Sequence, residues 1–343
     1  MTICILSNTK MSTGGVERFC AYLERAFRSL GHTVEIVSTE DLSSYHRSLL
    51  RFFEYFGLAV PLLGYFLGNY AKRKKPDVYV TNGALGWNLK DKKIVNVQHG
   101  TFAQAAKRLD RKNPLKFFFR FYIWGYFEGV AARRASRVVA VSQETKESVE
   151  LFYKVKNIAV VYNAVDTNFF APRDDRVIVR KELGFAVEET IVLFVGRFER
   201  AKGKAILEGM EKYLSHHSGR LIVAEQYSQD ELAKLYSAAD LFLFPSLHEG
   251  CSYALLDAMS SGLLFLASPV GLVADFVKEN LFSGCIVHEQ TLVRYSDAFE
   301  KIHHMGVEEK MKLSERLRNY ILSKHTLAVF TREYERILSE VIL

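Results

Sequence analysis

Short apolar runs alternate with segments of helical spacing along almost the whole chain, and this alternation limits the fold more than any other feature. ICILSN (3–8) leads into a loop holding Gly14-Gly15, then a helical spacing from Val16 to about Leu30, then Gly31 and TVEIVS. A period of 2, then 3.6, then 2 again is a β-α-β unit. Further strands are expected at DVYVTN, IVNVQH and RVVAVS. A second series opens near residue 190 with TIVLFVG, RLIVAE, DLFLFPS and LLFLAS. Strands separated by helices form parallel sheets covered on both faces. Between the two series, VYNAVDTNFFAPRDD breaks both periodicities. At 343 residues the chain exceeds one ordinary core. The expectation is an α/β protein of two Rossmann-like domains.

Composition narrows the class. Apolar residues make up 49% and charged residues 25%, the proportions of a globular protein. Cys4, Cys20, Cys251 and Cys285 are scattered, with no C-x-x-C, which argues against a disulfide framework or zinc site and fits a reducing, cytoplasmic setting. TICILSN reads as a strand rather than a secretory leader. Charge is uneven: residues 1–170 hold 25 Lys+Arg and 14 Asp+Glu, a net +11, whereas residues 171–343 hold 21 and 25, a net −4. A basic first half implies an anionic partner. Two runs in that half interleave aromatics with bases, 48–75 (ending Lys72-Arg73-Lys74-Lys75) and 107–127. Arg51, Glu54 and Pro61 interrupt the first, so neither spans a membrane. They are either buried helices or a surface lying on anionic headgroups, which places the protein peripherally at the inner face of the cell membrane.

The densest chemistry lies in HEGCSYALLDAMSSG (248–262). A buried strand precedes it and SYALLDAM has amphipathic helical spacing, so Glu249, Gly250 and Ser252 fall on a strand-to-helix turn. Free N–H groups and the positive helix end make such a turn an anion site, which Gly250 opens to close approach. A carboxylate does not bind phosphate, so Glu249 points to neutral hydroxyls beside it. Asp257, roughly 12 Å along the axis were the stretch helical throughout, suits hydroxyls at the far end of a long ligand. Phosphate between two polyols describes a nucleotide sugar. Two helix-capping acids remain the simpler alternative. In VGRFERAKGK (195–204), Arg197 and Lys202 follow a strand. They are two cations able to neutralise a leaving diphosphate, or ordinary solvated loop residues. His99 ends a strand, and by itself reads as a satisfied strand-end histidine.

Taken in order, these stretches resemble the GT-B glycosyltransferases of glycosyl transferase family 4, the glycosyl transferases group 1. The matching motifs are Gly14-Gly15 in GGVER, His99-Gly100 in VQHG, VVYNAVD, G-R-x4-K-G from Gly196 to Gly203, the Y-x-x-A-D and P-S pair from Tyr236 to Ser246, and Glu249, Asp257 and Gly262 in place of E-x7-E and A-x3-G. The resemblance spans nearly the whole chain. It implies a GT-B fold with two Rossmann-like domains facing a central cleft. Residues 1–168 would form the acceptor-side domain and 169–325 the nucleotide-sugar domain, with 326–343 a helix packing back on the first. It implies that Arg197 and Lys202 clamp the donor diphosphate, with Gly196 opening their loop. Glu249 would hold sugar hydroxyls, the backbone of Gly250, Cys251, Ser252, Tyr253 and Ala254 the phosphates and sugar, and Asp257 the ribose. Gly14 and Gly15 would approach the phosphate, and His99 would lie beside the transferring sugar.

The implied reaction is retaining transfer of a hexose-type sugar from a nucleotide diphosphate sugar, UDP-sugar before GDP-sugar, to a lipid-linked or cell-surface glycan. No Asp-x-Asp occurs, so no metal or other cofactor is expected. The chain departs from the pattern in Asp257 for glutamate, Leu264 for proline, Gly271-Leu272 for a glycine pair, and Tyr162 and Ala164 in the linker. Only 52 residues separate Gly196 from Glu249, which shortens the second domain by about one β-α unit. A GT-B nucleotide-sugar epimerase and a non-catalytic nucleotide-sugar-binding subunit share these residues. STGGVER does not fit a nicotinamide fingerprint, and no nucleic-acid motif occurs, so no nucleic-acid partner is expected.

Overall fold

The computed structural model describes residues 1–10, 14–90, 93–173, 175–186 and 188–342. Of the motif stretches, Ser12, Thr13 and Asp174 lie outside the described residues. The chain forms two compact units, Met1–Asn163 with Leu327–Leu343, and Ala164–Thr326. The division follows Asn163, five residues before the expected boundary at 168. There Val165 N–H donates to the His325 carbonyl at 2.8 Å, so the two chain crossings are tied side by side.

In the first unit β1 (Thr2–Leu6), β2 (Thr33–Val37), β3 (Val78–Asn82), β4 (Ile94–Gln98), β5 (Arg137–Ala140) and β6 (Ile158–Val160) make one parallel sheet, ordered β2-β1-β3-β4-β5-β6. β3 and β4 are buried at every position, the pattern of strands covered on both faces. β6 has three residues and lies beside the linker, too short for its period to register. One face packs Cys4, Leu6, Tyr79 and Ile94 against Leu67 and Ala71 of helix Ala59–Lys74. Helix Gly15–Ser29 packs on the C-terminal helix Leu327–Ile342 through Phe19 and Phe27 against Phe330 and Tyr334, with ring centroids 5.8–6.1 Å apart.

The aromatic run 48–75 divides in two. Helix Ala59–Lys74 buries Pro61, Gly64, Leu67, Gly68 and Ala71, whereas helix Ser44–Glu54 buries no residue. Residues 114–124 likewise bury none. Among the described residues no helix is long and apolar enough to cross a membrane.

In the second unit β7 (Thr190–Val195), β8 (Gly219–Ala224), β9 (Leu241–Phe244) and β10 (Phe265–Ala267) form a parallel sheet ordered β10-β9-β7-β8. Among the described residues, four strands stand here against six in the first unit. In each sheet the order reverses once, between β1 and β3 and between β7 and β9. Loops leaving the C-terminal strand ends diverge at such a point and open a crevice.

Candidate active site

Three loops of the second unit meet at its reversal point. Residues 196–203 follow β7, 245–252 follow β9, and 268–271 follow β10. Leu247 N–H donates to the Ala201 carbonyl at 2.9 Å and joins the first two. Gly203 (φ +82°) lies so close to Pro245 that a β-carbon would collide with its carbonyl oxygen, and Gly271 (φ +58°) lies equally close to the Gly250 carbonyl. Both positions demand a left-handed backbone as well as empty space, which only glycine supplies at no cost.

This packing brings Lys202 onto Glu249, and the ammonium donates to Glu249 Oε1. Their side chains are 24% and 14% exposed, so the pair is neither dry nor fully solvated. Arg197 does not join it. Its side chain is 76% exposed and pairs with Glu199 at 2.9 Å on its own loop. The two cations expected to converge thus have different carboxylate partners, Glu199 for Arg197 and Glu249 for Lys202.

Ser252 precedes helix Tyr253–Ser260 and its side chain makes no capping hydrogen bond. A helix start carries N–H groups without intrahelical partners and a partial positive charge. Gly250 and Cys251 are buried, and Ser252 and Ala254 half-buried; the Ala254 carbonyl accepts from Tyr236 OH at 3.1 Å. The helix is not amphipathic: Tyr253 and every residue from Leu255 to Ser260 are buried. Asp257 is its fifth residue, about 6 Å along the axis from Tyr253, and the stretch from Glu249 to Ser252 is loop, so the roughly 12 Å expected from Glu249 for a continuous helix does not apply. It is 1% exposed and engaged within the fold, so the expected ribose contact is not open to solvent. A cavity of about 310 Å³ opens at the opposite strand edge beside Thr190, Asp240 and Leu264. Its acid, Asp240, is held by Arg176 and Arg180, and it shares no residue with these loops.

The first unit places its candidates at its own reversal point. Gly14 precedes helix Gly15–Ser29 and is exposed. Phe19, one turn into that helix, packs edge-on against His99 at 4.7 Å. Asn82 Nδ2 donates to the Leu6 carbonyl at 2.7 Å, which turns Asn82 Oδ1 towards His99 Nε2 at 2.8 Å. The imidazole proton therefore sits on Nε2 and the lone pair on Nδ1. His99 keeps some open surface, but burial pulls the imidazole down to about 4, so it is neutral at physiological pH.

Sequence reasoning missed the support beneath this histidine. Asn96 Nδ2 donates to Thr81 Oγ1 (2.8 Å) and the Gly83 carbonyl (2.9 Å), and Gln98 donates to Asn96. Asparagines inside VYVTN and IVNVQ were the available signal, since buried strands carry amides only when something satisfies them. Glu128 lies 4% exposed beside the same loop, accepting from Phe102 N–H (2.8 Å) and from Tyr153 OH. Burial pushes its carboxyl up to about 7, against both donors.

Comparison with known proteins decides the family. The model of Glycosyltransferase Family 4 matches residues 13–169, and that of Glycosyl transferases group 1 matches residues 188–304. The chain belongs to these glycosyltransferases. Its D-inositol 3-phosphate glycosyltransferase relative from Corynebacterium aurimucosum is 27% identical over 201 residues, 48% of either chain. The UDP-Gal:alpha-D-GlcNAc-diphosphoundecaprenol alpha-1,3-galactosyltransferase of Escherichia coli is 23% identical over 240 residues, 61% of this chain and 59% of that one. The matched span is about half the length of the curated relatives first matched. Sucrose-phosphate synthase from Thermosynechococcus elongatus superposes with a TM-score of 0.79 at 17% identity, over 99% of this glycosyltransferase and 98% of that chain. At that identity the likeness shows the fold, which is GT-B.

Proposed function

We propose that this glycosyltransferase moves a hexose-type sugar, with retention and without a metal, from a nucleotide diphosphate sugar to a hydroxyl of a lipid-linked or cell-surface glycan. The pairing of Lys202 with Glu249 carries the reading, because it puts a cation for phosphate next to an acceptor for sugar hydroxyls. The helix start at Tyr253 supplies further N–H groups for the diphosphate. Arg197, solvated and held only on its own loop, is available to fold onto the diphosphate when donor binds. As the glycosidic bond breaks, negative charge grows on the β-phosphate and these donors stabilise it. The acceptor hydroxyl attacks from the same face and the departing phosphate takes its proton. Neutral His99 offers its Nδ1 lone pair to a sugar hydroxyl and brings no charge to the site. Gly14 and Gly15 leave the start of helix Gly15–Ser29 open to close approach by a phosphate. Asp257, enclosed on the same helix as Tyr253, is the acid this reading assigns to the ribose, which has to reach it through the loops that cover it.

UDP and a lipid-linked acceptor are favoured because the E. coli relative is named for both. Peripheral contact with the inner face of the membrane is supported by aromatics exposed on the first unit, including Phe52, Tyr55, Phe56, Phe118 and Tyr122. The test incubates the full-length protein with UDP-, GDP- and ADP-sugars in EDTA, with and without membrane extract. Expected are a glycolipid of unchanged anomeric configuration and release of UDP, undiminished by chelator. Inversion, or rescue by Mg²⁺ or Mn²⁺ after complete loss in EDTA, would overturn the leaving-group chemistry. A free epimer formed without acceptor would replace transfer by epimerisation.

A further inference from the structure

A cavity of about 320 Å³ lies between helices Ser44–Glu54 and Ala59–Lys74 of the first unit. Arg47, Leu50, Arg51 and Glu54 recur at helical spacing and line one wall, and Val60 and Leu63 form the other. Leu50 and Leu63 pack onto the core beneath, so the apolar floor is rigid. Arg47 donates to the Glu40 carbonyl at 3.3 Å, which holds its guanidinium at the mouth beside Thr39. The charged lining residues are two arginines, Arg47 and Arg51, and one carboxylate, Glu54. Helix Ser44–Glu54 buries no residue fully; His46 packs edge-on against Phe66 of the neighbouring helix, with ring centroids 4.6 Å apart. Phe52, and just beyond it Tyr55 (89% exposed) and Phe56, form an aromatic shelf. The shelf continues onto residues 114–124, where Phe119 packs on Gly57 and Trp124 Nε1 donates to the Gly57 carbonyl at 2.6 Å, with Phe118 and Tyr122 exposed.

We propose that this cavity is the binding site for a phosphate-bearing lipid, the anionic end of the acceptor. It rests on the lipid-linked acceptor proposed above and assigns its place. Two guanidiniums over an apolar floor match a phosphate joined to a hydrocarbon chain, and neither a bare anion nor a neutral glycan uses both features. The shelf beside the mouth is where the rest of the chain remains in the bilayer. The position along the sheet agrees. Thr39 lies just past β2 and His99 just past β4, at the same strand edge. Three strand spacings separate them, about 14 Å, a gap that a phosphate and one or two sugar rings bridge. The acceptor hydroxyl then falls beside His99.

The probe is octyl phosphate at monomeric concentration, titrated calorimetrically into the full-length protein beside octyl glucoside and inorganic phosphate. Octyl phosphate is expected to bind better than either comparator, and at least about tenfold more weakly to Arg47→Gln/Arg51→Gln, from which two charge-assisted contacts are missing. Leu63→Asn is expected to remove the preference for octyl phosphate over inorganic phosphate. Unchanged binding by the double arginine variant overturns the assignment. Inorganic phosphate binding as tightly as octyl phosphate also overturns it and leaves a simple anion site. A thermal shift with UDP in the same preparation separates the two readings: UDP binding without octyl phosphate binding defeats this site alone, whereas the reverse defeats the donor chemistry and leaves the lipid site standing.

Discussion

At the scale of single residues, Lys202 and Arg197 lead to different expectations although both are loop cations of one motif. Lys202 is partly buried on Glu249, and its removal leaves a carboxylate with 14% exposure short of its cation. Arg197 is solvated, and an exposed pair such as the one with Glu199 contributes about 0–1 kcal/mol. Lys202→Ala is therefore expected to lower both thermal stability and turnover. Arg197→Ala is expected to leave the melting temperature almost unchanged and to lower kcat by about 10²-fold or more, the size of one lost donor to developing charge. Kinetics and thermal melts on both purified variants check this. Near-normal kcat in Arg197→Ala would confine the diphosphate contact to Lys202 and the helix start. Glu249, Lys202 and His99 stood out in the sequence as candidates by residue type and neighbours. The engagement of Asp257 inside the fold did not, because a one-methylene shortening says nothing about which way the carboxylate packs.

At the scale of elements, the donor loops are held by backbone contact more than by side chains. Gly203 and Gly271 let the β7 and β10 loops lie against Pro245 and Gly250, so a β-carbon at either place must push neighbouring loops apart. Gly203→Ala is expected to destabilise by roughly 2–4 kcal/mol, combining left-handed backbone cost with overpacking. Gly284→Ala, where a β-carbon meets nothing within 4 Å, is the neutral control. Urea unfolding of both variants provides the measurement, and equal midpoints would contradict the account. Strand and helix periods were legible because buried parallel strands are continuously apolar. The fate of run 48–75 was not legible. Its aromatic opening and its apolar continuation have similar composition, and only packing against β1 and β3 sent helix Ala59–Lys74 inside while leaving helix Ser44–Glu54 out.

At the scale of the whole molecule, charge follows the units. The first holds 27 Lys+Arg and 16 Asp+Glu, the second 19 and 23. The basic unit also displays the aromatic shelf. The structure changes which bases serve it. Lys72 to Lys75 end helix Ala59–Lys74, about 20 Å from the shelf at its start, and Lys74 is tied to Glu35 at 2.6 Å. Arg47, Arg51, Arg111, Lys112 and Lys116 are exposed on the two shelf segments instead. Each base near an anionic bilayer contributes roughly 1 kcal/mol, within a Debye length of about 8 Å. Cosedimentation is expected with anionic but not neutral liposomes, weakening with salt. Phe52→Ser/Tyr55→Ser/Phe56→Ser is expected to abolish it, and neutralising residues 72–75 to reduce it far less. Protein left in the supernatant with anionic vesicles at low salt would return the acceptor to a soluble glycan.

The order of strands and helices, the two-unit organisation, the basic first half and the motif residues were all determined by the sequence itself. Each depends on local period, composition or nearest neighbours, which one dimension records. The pairing of Lys202 with Glu249 across 47 positions, the different carboxylate partner of Arg197, the neutral His99 above its asparagine network, and the exposed shelf were decided only by tertiary structure. Each of these depends on which surfaces are removed from water when distant segments meet. Burial sets the protonation of His99 and Glu128, the reach of Asp257 and the exposure of Tyr55, and no local pattern carries that information.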